Sequence, residues 1–384
     1  MSHPSQPIAL QYARRLAAAQ RSLGSGDVFA RNIENFVGTV AVPVGLMGPL
    51  LINGRHANGE YLVPLATTEA TLVASYNRGA WLIQAAGGCS TTVIDVGIQR
   101  APGFAFRSLG DAARFAAWLP TIREALAGII AGTGRFVQLR DLEVRLEANL
   151  VFAIFTFGTG DAAGQNMVTI ATEAALAHLR AHSPVTPLTW VVEANASGDK
   201  KASAMTLLHG RGRMVSAEVI LPADVVETRL RATPEAMAAY CRLSSTGAAL
   251  TGTMGAQGHF ANGLTALFIA CGQDAACVAE SAAGITRLEV TDQGALRASV
   301  TLPALAVGTV GGGTGLPSQR ASLEIMGLAG SGCANALAEV CGAVALAGEL
   351  SIVGALVAHE FTASHVRLAR GEAARPVDAL GRHA

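Results

Sequence analysis

The sequence predicts an α+β fold in which a small domain is inserted into a larger, helix-rich one. Three observations predict it. The chain has 384 residues, more than one hydrophobic core ordinarily organises. It is 51% apolar and 15% charged, a composition that fills a large core and is unlike that of a disordered chain. One stretch, from about Phe104 to Val192, carries a legible order of strand and helix signals, whereas the parts on either side do not look independent of each other.

Within that stretch, Phe104 to Phe106 reads as a short strand. Asp111 is the expected cap of an amphipathic helix that runs to Ala131 and is interrupted at Pro120. Arg135 to Glu147 and Leu150 to Phe157 read as two strands joined by a tight Ala148-Asn149 turn. After a turn at Gly158 to Gly160, a helix is expected from Asp161 to His182 and a last strand from Pro187 to Val192. The order β-α-β-β-α-β is the split βαβ, or ferredoxin-like, arrangement. Residues 1–101 supply an extended segment punctuated by Gly and Pro, then a helix from Thr68 to about Ala86. Residues 193–384 supply strands, Gly-rich loops and two long apolar helical stretches. The expected division is therefore 1–101, 102–192 and 193–384, with the first and third parts forming one domain.

Net charge is zero and Lys/Arg form no run, which argues against a nucleic-acid partner. Met1 to Gln20 carries Arg14 and Arg15 in an amphipathic stretch without an apolar h-region, so no signal peptide is expected. The most apolar tract, Val340 to Val357, has Glu349 in its middle and falls short of the roughly 20 apolar residues of a membrane span, so it reads as a buried helix. Cys89, Cys241, Cys271, Cys277, Cys333 and Cys341 form no C-x-x-C pair and read as buried, reduced thiols of a cytoplasmic protein. No His/Cys/Asp cluster has metal-ligand spacing, and no metal is expected.

Of the 28 basic residues only two are lysines, Lys200 and Lys201, and they are adjacent. Arginine serves for surface charge but not where a compact ammonium must touch a reacting oxygen. The pair therefore marks a place where arginine would not do.

Seven constellations could carry chemistry. Glu34-Asn35-Phe36-Val37-Gly38 with Pro43 to Leu50 is a strand broken by residues that fix special backbone angles. In Pro64 to Ser75, Thr67 or Thr68 reads as an N-cap and Glu69 falls in the first helical turn, where by itself it only complements the helix dipole. Gly158 to Met167 follows a strand and opens a helix, a setting that favours a phosphate; its third glycine comes one residue late for the dinucleotide fingerprint. Gly198-Asp199-Lys200-Lys201 holds the lysines. Asp274, in Gly272 to Ala276, could be merely a cap. Gly308 to Gly315 lets backbone approach a ligand or simply turns. His365, near the end of the last long helix, reads alone as a solvated surface residue or a C-terminal cap.

Together, ENFVG with PVGLMGPL, PLATTEATLVAS, DAAGQNM, GDKKA, GQDAA and GTVGGGT occur in the order and approximate spacing of the 3-hydroxy-3-methylglutaryl-coenzyme A reductases. The resemblance runs from about residue 30 to residue 370, and is to the soluble catalytic region of the branch that carries the lysine pair and prefers NADPH. It implies reduction of an acyl-coenzyme A thioester to an alcohol, with two NADPH consumed and coenzyme A released. It implies a homodimer with composite active sites, in which ENFVG lies at the subunit interface. Carried over position by position, it implies Glu69, Lys200, Asp274 and His365 as catalytic residues. Ser75, Asn77 and Arg78 match coenzyme A contacts, and Arg100, Asp199, Lys201 and Asn262 contacts to the acyl part. Asp161, Gly164, Gln165, Asn166, Met167, Val310, Gly311 and Gly312 match the cofactor site, with Arg135 near the 2′-phosphate.

The residue types suit that chemistry. A fixed ammonium, Lys200, stabilises the oxyanion formed at the former carbonyl. A histidine such as His365 can protonate a thiolate whose thiol pKa lies near ~8.5 or above. Glu69 can give a proton to the aldehyde oxygen only as a neutral acid, a state that apolar burial favours. Asp274 would hold Lys200 charged. The acyl-recognition set departs from the branch: Glu193 stands where it has a serine, Leu243 or Ser244 (beside Arg242) where it has a lysine, and Asp224 replaces a lysine on the coenzyme A side. Pairing of Glu193 with Arg100 or Arg242 would be one resolution, a local shift of register a second, and an acyl group other than hydroxymethylglutaryl a third.

Overall fold

The computed structural model describes residue 29 and residues 32–359. Its strands are β1 Val44–Gly54, β2 Asn58–Ala66, β3 Cys89–Arg100, β4 Gly103–Ala105, β5 Gln138–Glu147, β6 Leu150–Gly158, β7 Thr189–Val191, β8 Gly212–Leu221, β9 Gly255–Ala256, β10 Gly284–Val290 and β11 Leu296–Leu305. Its helices are α1 Leu72–Ala85, α2 Leu109–Trp118, α3 Arg123–Ala131, α4 Gln165–His182, α5 Ala204–His209, α6 Ala223–Leu230, α7 Pro234–Thr251, α8 Phe260–Ala270, α9 Val278–Ser281, α10 Pro317–Ile325 and α11 Ala334–Val357.

Four strands form the unit that the alternation predicts. Their spatial order is β7-β4-β6-β5, and every neighbouring pair is antiparallel. Phe104, Phe106, Phe115 and Leu126 are buried there along one side of α2 and α3. Pro120 sits in a 3₁₀ turn, Leu119–Ile122, which separates the two helices. The larger sheet runs β3-β8-β11-β10-β9, with β1 on the other side of β3 and β2 beyond it. The long strand β3 joins the two: its first part pairs with β1 and β8, and its last residues, Ile98 to Arg100, pair with β6.

Helix α11 crosses the large part as its central core element. It is long and apolar enough to span a membrane by length and composition, but 83% of its most apolar window is buried inside the protein. Glu349, in its middle, accepts hydrogen bonds from Gly258 N, His259 N and Thr286 Oγ1 at 2.7–2.8 Å. Burial pushes its carboxyl up, but His259 and the two backbone N–H groups outweigh this and hold it below the ordinary glutamate value. The buried-helix reading of this tract holds. Of the six cysteines, all free, Cys241 and Cys333 are only half-buried.

Several boundaries differ from the sequence expectation, each for a local reason. The helix expected from Thr68 starts at Leu72, because Thr67 Oγ1 accepts from Glu69 N in a local turn and Thr71 is left-handed. Glu69 therefore lies before the helix and not in its first turn. Ser108, not Asp111, caps α2, with its hydroxyl accepting from Asp111 N. Helix α4 starts at Gln165 rather than Asp161, because Gly164 is left-handed and the Asp161 carboxylate is bound elsewhere. Strand β5 starts at Gln138, three residues after Arg135.

Candidate active site

A cavity of about 580 Å³ opens between the N-terminus of α4, the C-terminal end of α8 and the glycine turn before α10. Gly164, Gln165, Asn166, Met167, Val310, Gly311 and Gly312, all expected at the cofactor, line it, and so does Asp274. The wall is largely backbone. A Cβ on Gly308 would stand 2.3 Å from Ala163 N, so the loop after β11 packs on the loop before α4 with no room for a side chain. Ala162 and Val310 form a parallel bridge at the same place. The Gln273 amide locks the arrangement, accepting from Gly308 N at 2.8 Å and donating to Gly308 O at 2.9 Å. Arg213 donates to Val307 O and Gly160 O, both at 2.6 Å, tying the two loops to β8. Free N–H groups at the start of α4 and the open backbone at Gly311 and Gly312 suit a phosphate-bearing ligand.

Two expected cofactor residues take other places. Asp161 is behind the wall: its carboxylate accepts from Gly332 N at 2.7 Å and Ala334 N at 3.2 Å, bracing the start of α11. Arg135 is exposed and stacks on Phe136, 4.8 Å from the ring centre, beside the Gly160 turn and outside the cavity lining.

Behind the lining residue Gln165 lies a set of charged side chains bonded to it. Its amide nitrogen donates to Asp199 at 2.9 Å, and its amide oxygen accepts from Arg100 at 3.3 Å and Arg211 at 3.0 Å. Arg100 reaches Asp199 at 3.1 Å and Glu193 at 3.5 Å. Arg211, fully buried, holds fully buried Glu280 through two bonds of 2.7 and 2.9 Å. Burial pushes Asp199 up, but the guanidiniums of Arg211 and Arg100 outweigh it and hold the carboxyl below its ordinary value. Of the three resolutions for Glu193, pairing with Arg100 is the one present, reinforced by a bond from Ala101 N at 3.1 Å. Arg242 and Leu243 lie exposed on α7.

Lys200 Nζ is 2.7 Å from Asp274 Oδ2. That hydrogen bond holds the ammonium above the ordinary lysine value. Asp274 is also the cap that the bland reading proposed, since its Oδ1 accepts from Ala276 N at 3.0 Å. Lys200 has a left-handed backbone, φ 57°, at the tip of a turn closed by Lys201 N and Gly198 O. Lys201 is exposed, with Nζ on Asp199 O at 2.9 Å. Glu69 is exposed, so burial within its own chain does not supply the apolar setting its acid role needs. His365 lies outside the described residues.

The residues expected at coenzyme A hold α1 in place. Asn77 Oδ1 accepts from Gly48 N at 2.7 Å and its amide donates to Leu46 O. Ser75 and Arg78 both bond Ser351 of α11, at 2.8 and 3.0 Å. Asn262 sits in the first turn of α8, half-exposed. The sequence reading missed Arg211, Glu280, Arg213, Gln273 and Cys277. Cys277 accepts from Gln165 at 3.5 Å, and burial pushes its thiol up to about 12. An arginine among many and a glutamine beside a glycine give no local signal; only the Gly-Gln-Asp string around Gln273 pointed there.

The comparisons agree with this geometry. Residues 8–370 match the family model described as hydroxymethylglutaryl-coenzyme A reductase. A 3-hydroxy-3-methylglutaryl-coenzyme A reductase of Pyrococcus abyssi is 40% identical over 356 residues, covering 91% of this chain and 87% of that protein. One from Methanocaldococcus jannaschii is 42% identical over 345 residues, covering 88% and 85%. In fold, the chain resembles the class II reductase of Streptococcus pneumoniae, solved bound to NADPH in open conformations, with a TM-score of 0.70 at 22% identity over 93% of this chain and 98% of that one. A family match over nearly the whole chain, with relatives at 40% identity or more, settles the assignment: the chain belongs to the hydroxymethylglutaryl-coenzyme A reductase family.

Proposed function

We propose that this chain reduces 3-hydroxy-3-methylglutaryl-coenzyme A to mevalonate and free coenzyme A, with two NADPH consumed per turnover. The observation that carries the reading is the Lys200–Asp274 pair, whose carboxylate lines the glycine-walled cavity. NADPH would supply the hydride, held by the backbone of Gly164 to Met167 and Val310 to Gly312. Residues 102–192 form the cofactor-binding part; 1–101 and 193–384 form the acyl-coenzyme A part.

Lys200 faces the thioester oxygen and stabilises the negative charge that grows on it. Asp274 keeps the ammonium charged and fixes its direction. Arg100, Asp199, Lys201 and Asn262 orient the acyl group. Ser75, Asn77 and Arg78 shape the coenzyme A side through α1. His365 protonates the departing thiolate, and Glu69 gives a proton to the aldehyde oxygen. A second copy of the chain would cover Glu69, and the exposed Ile33, Val37 and Val40 around ENFVG support a homodimer that does so. Packing of α11 inside the protein supports a cytoplasmic place.

The test follows NADPH oxidation and thiol release with 3-hydroxy-3-methylglutaryl-coenzyme A. Two NADPH oxidised per thiol are expected, and no thiol release would exclude the reading. Arg135→Ala should lose several-fold of the preference for NADPH over NADH, as loss of one exposed charge contact predicts.

A further inference from the structure

We infer that a cleft of about 340 Å³ on the open face of the small sheet is a second small-molecule site, built for a short aliphatic amine cation. Side chains alternate along a strand, so the sheet has two faces. Val151, Ala153, Phe155 and Phe157 of β6 are buried on the face that the helices cover. Ile154 and Thr156 lie on the other face, where Glu143 and Asp141 of β5 stand opposite them. On its other side Thr156 is opposite Gln99 of β3. Gln99, Thr156 and Asp141 therefore form one row across three strands, about 4.8 Å apart per strand. Met205 and His209 of α5 close the cleft over this row. None of these residues lines the glycine-walled cavity.

Two observations give the chemistry of the ligand. Gln99 is only 9% exposed, and its amide oxygen is buried with no hydrogen-bond partner among the described residues. A buried acceptor left unmade is costly, so this end of the row calls for an N–H or O–H donor. The second observation is charge. Asp95 is answered by Arg140 through contacts of 2.9 and 2.7 Å, and Glu143 by Arg145 at 2.8 Å. Asp141 accepts only from Leu142 N at 2.8 Å, and no cation among the described residues pairs with it. The row thus ends in an unmade acceptor on one side and an unmatched carboxylate on the other, with the Thr156 hydroxyl between them. An ammonium at Asp141, carrying a second donor to Gln99 on a short apolar chain, answers both. Ile154 and Met205 give that chain an apolar lining. An anion would meet the unmatched carboxylate, and a neutral molecule would leave its charge unanswered.

Calorimetry on the full chain tests this with 1,4-diaminobutane, 4-aminobutan-1-ol and butane-1,4-diol, which share one length and differ in charge. The diamine should bind with a Kd of about 1 mM or tighter, the range open to a ligand of that size. The diol should bind at least about tenfold more weakly. Equal binding of diol and diamine overturns the inference, as does a diamine that gives no binding heat at about 10 mM. Asp141→Asn should weaken the diamine about tenfold and Gln99→Leu about fivefold. Arg145→Met removes the partner of Glu143 and leaves a second carboxylate unmatched, so it should tighten the diamine by about threefold. Damage to the fold would not produce that direction, and weaker binding in Arg145→Met overturns the inference too. The Kd for NADPH should stay within about twofold in all three variants, because the cleft shares no lining residue with the cavity. Displacement of the diamine by NADPH would make the cleft part of the cofactor site and would equally overturn the inference.

Discussion

The glycine-lined cavity and the charged set behind Gln165 are built by opposite means. The cavity wall is largely backbone: Gly164 and Gly308 leave no room for a side chain, and Gly311 and Gly312 leave the backbone open. The charged set is side chain: Arg100, Arg211, Asp199, Glu193 and Glu280 form a lattice of ion pairs around Gln165. Both are anchored by neighbouring arginines, since Arg211 serves the charged lattice and Arg213 the glycine loops. A backbone wall changes only through conformation. A charged lattice changes with one substitution.

The largest effect should come from breaking the lattice at its buried centre. Arg211→Met takes the ion-pair partner from a fully buried carboxyl that burial already pushes up, so Glu280 must stay charged alone or take up a proton, at a cost of about 3–5 kcal/mol. Denaturant midpoints would show it, and Arg211→Met with Glu280→Leu should recover much of the loss. The acid limb should move as well. The folded Asp199 carboxyl is held low, so its stabilisation is present above the ordinary aspartate range near ~3.9 and is lost as pH falls through the folded value. Without Arg211 that folded value rises, and stability should begin to fall at higher pH. A variant as stable as wild type would show that the lattice is not held from Arg211.

Next in size is Lys200→Arg, which keeps the charge and changes its shape. A planar fork cannot place one compact charge on a tetrahedral oxygen from a left-handed turn tip already engaged with Asp274. Turnover should fall by about 10² or more, with thioester and cofactor binding nearly unchanged. Near-normal turnover would remove Lys200 from the oxyanion role.

What the sequence disclosed follows the same division between local and distant causes. The four-stranded unit was legible because alternation, Pro120 and the Ala148-Asn149 turn are local. Helix starts were misread where a polar side chain had another partner: Thr67 took a nearby N–H, and Asp161 took Gly332 N from 171 residues away. Lys200 stood out because lysine is rare here, and its partner Asp274 because of the family string around it. Arg211 and Glu280, each one of many like residues, became visible only when β8 and α9 met. The exposure of Glu69 is equally non-local, since it depends on what covers the start of α1.

The smallest effect should come from the backbone wall, where it separates conformation from sterics. Gly311 has φ 77° and ψ 175°, a region essentially restricted to glycine. A Cβ there would meet nothing within 4 Å, so Gly311→Ala adds no clash. Its whole effect is the strain of an alanine in that conformation, about 1–3 kcal/mol. If the loop keeps its shape, stability drops by that amount and NADPH affinity is retained. If the loop relaxes, the strain is relieved and the N–H groups of Gly311 and Gly312 turn away from the cavity, so affinity drops instead. The two losses should therefore trade against each other, with a combined size in the same range. Measuring melting midpoint and NADPH binding on the one variant reads both. Neither quantity changing would mean that the wall does not depend on this glycine's conformation, and the contrast between cavity and charged set would then rest on the close Gly308–Ala163 contact alone.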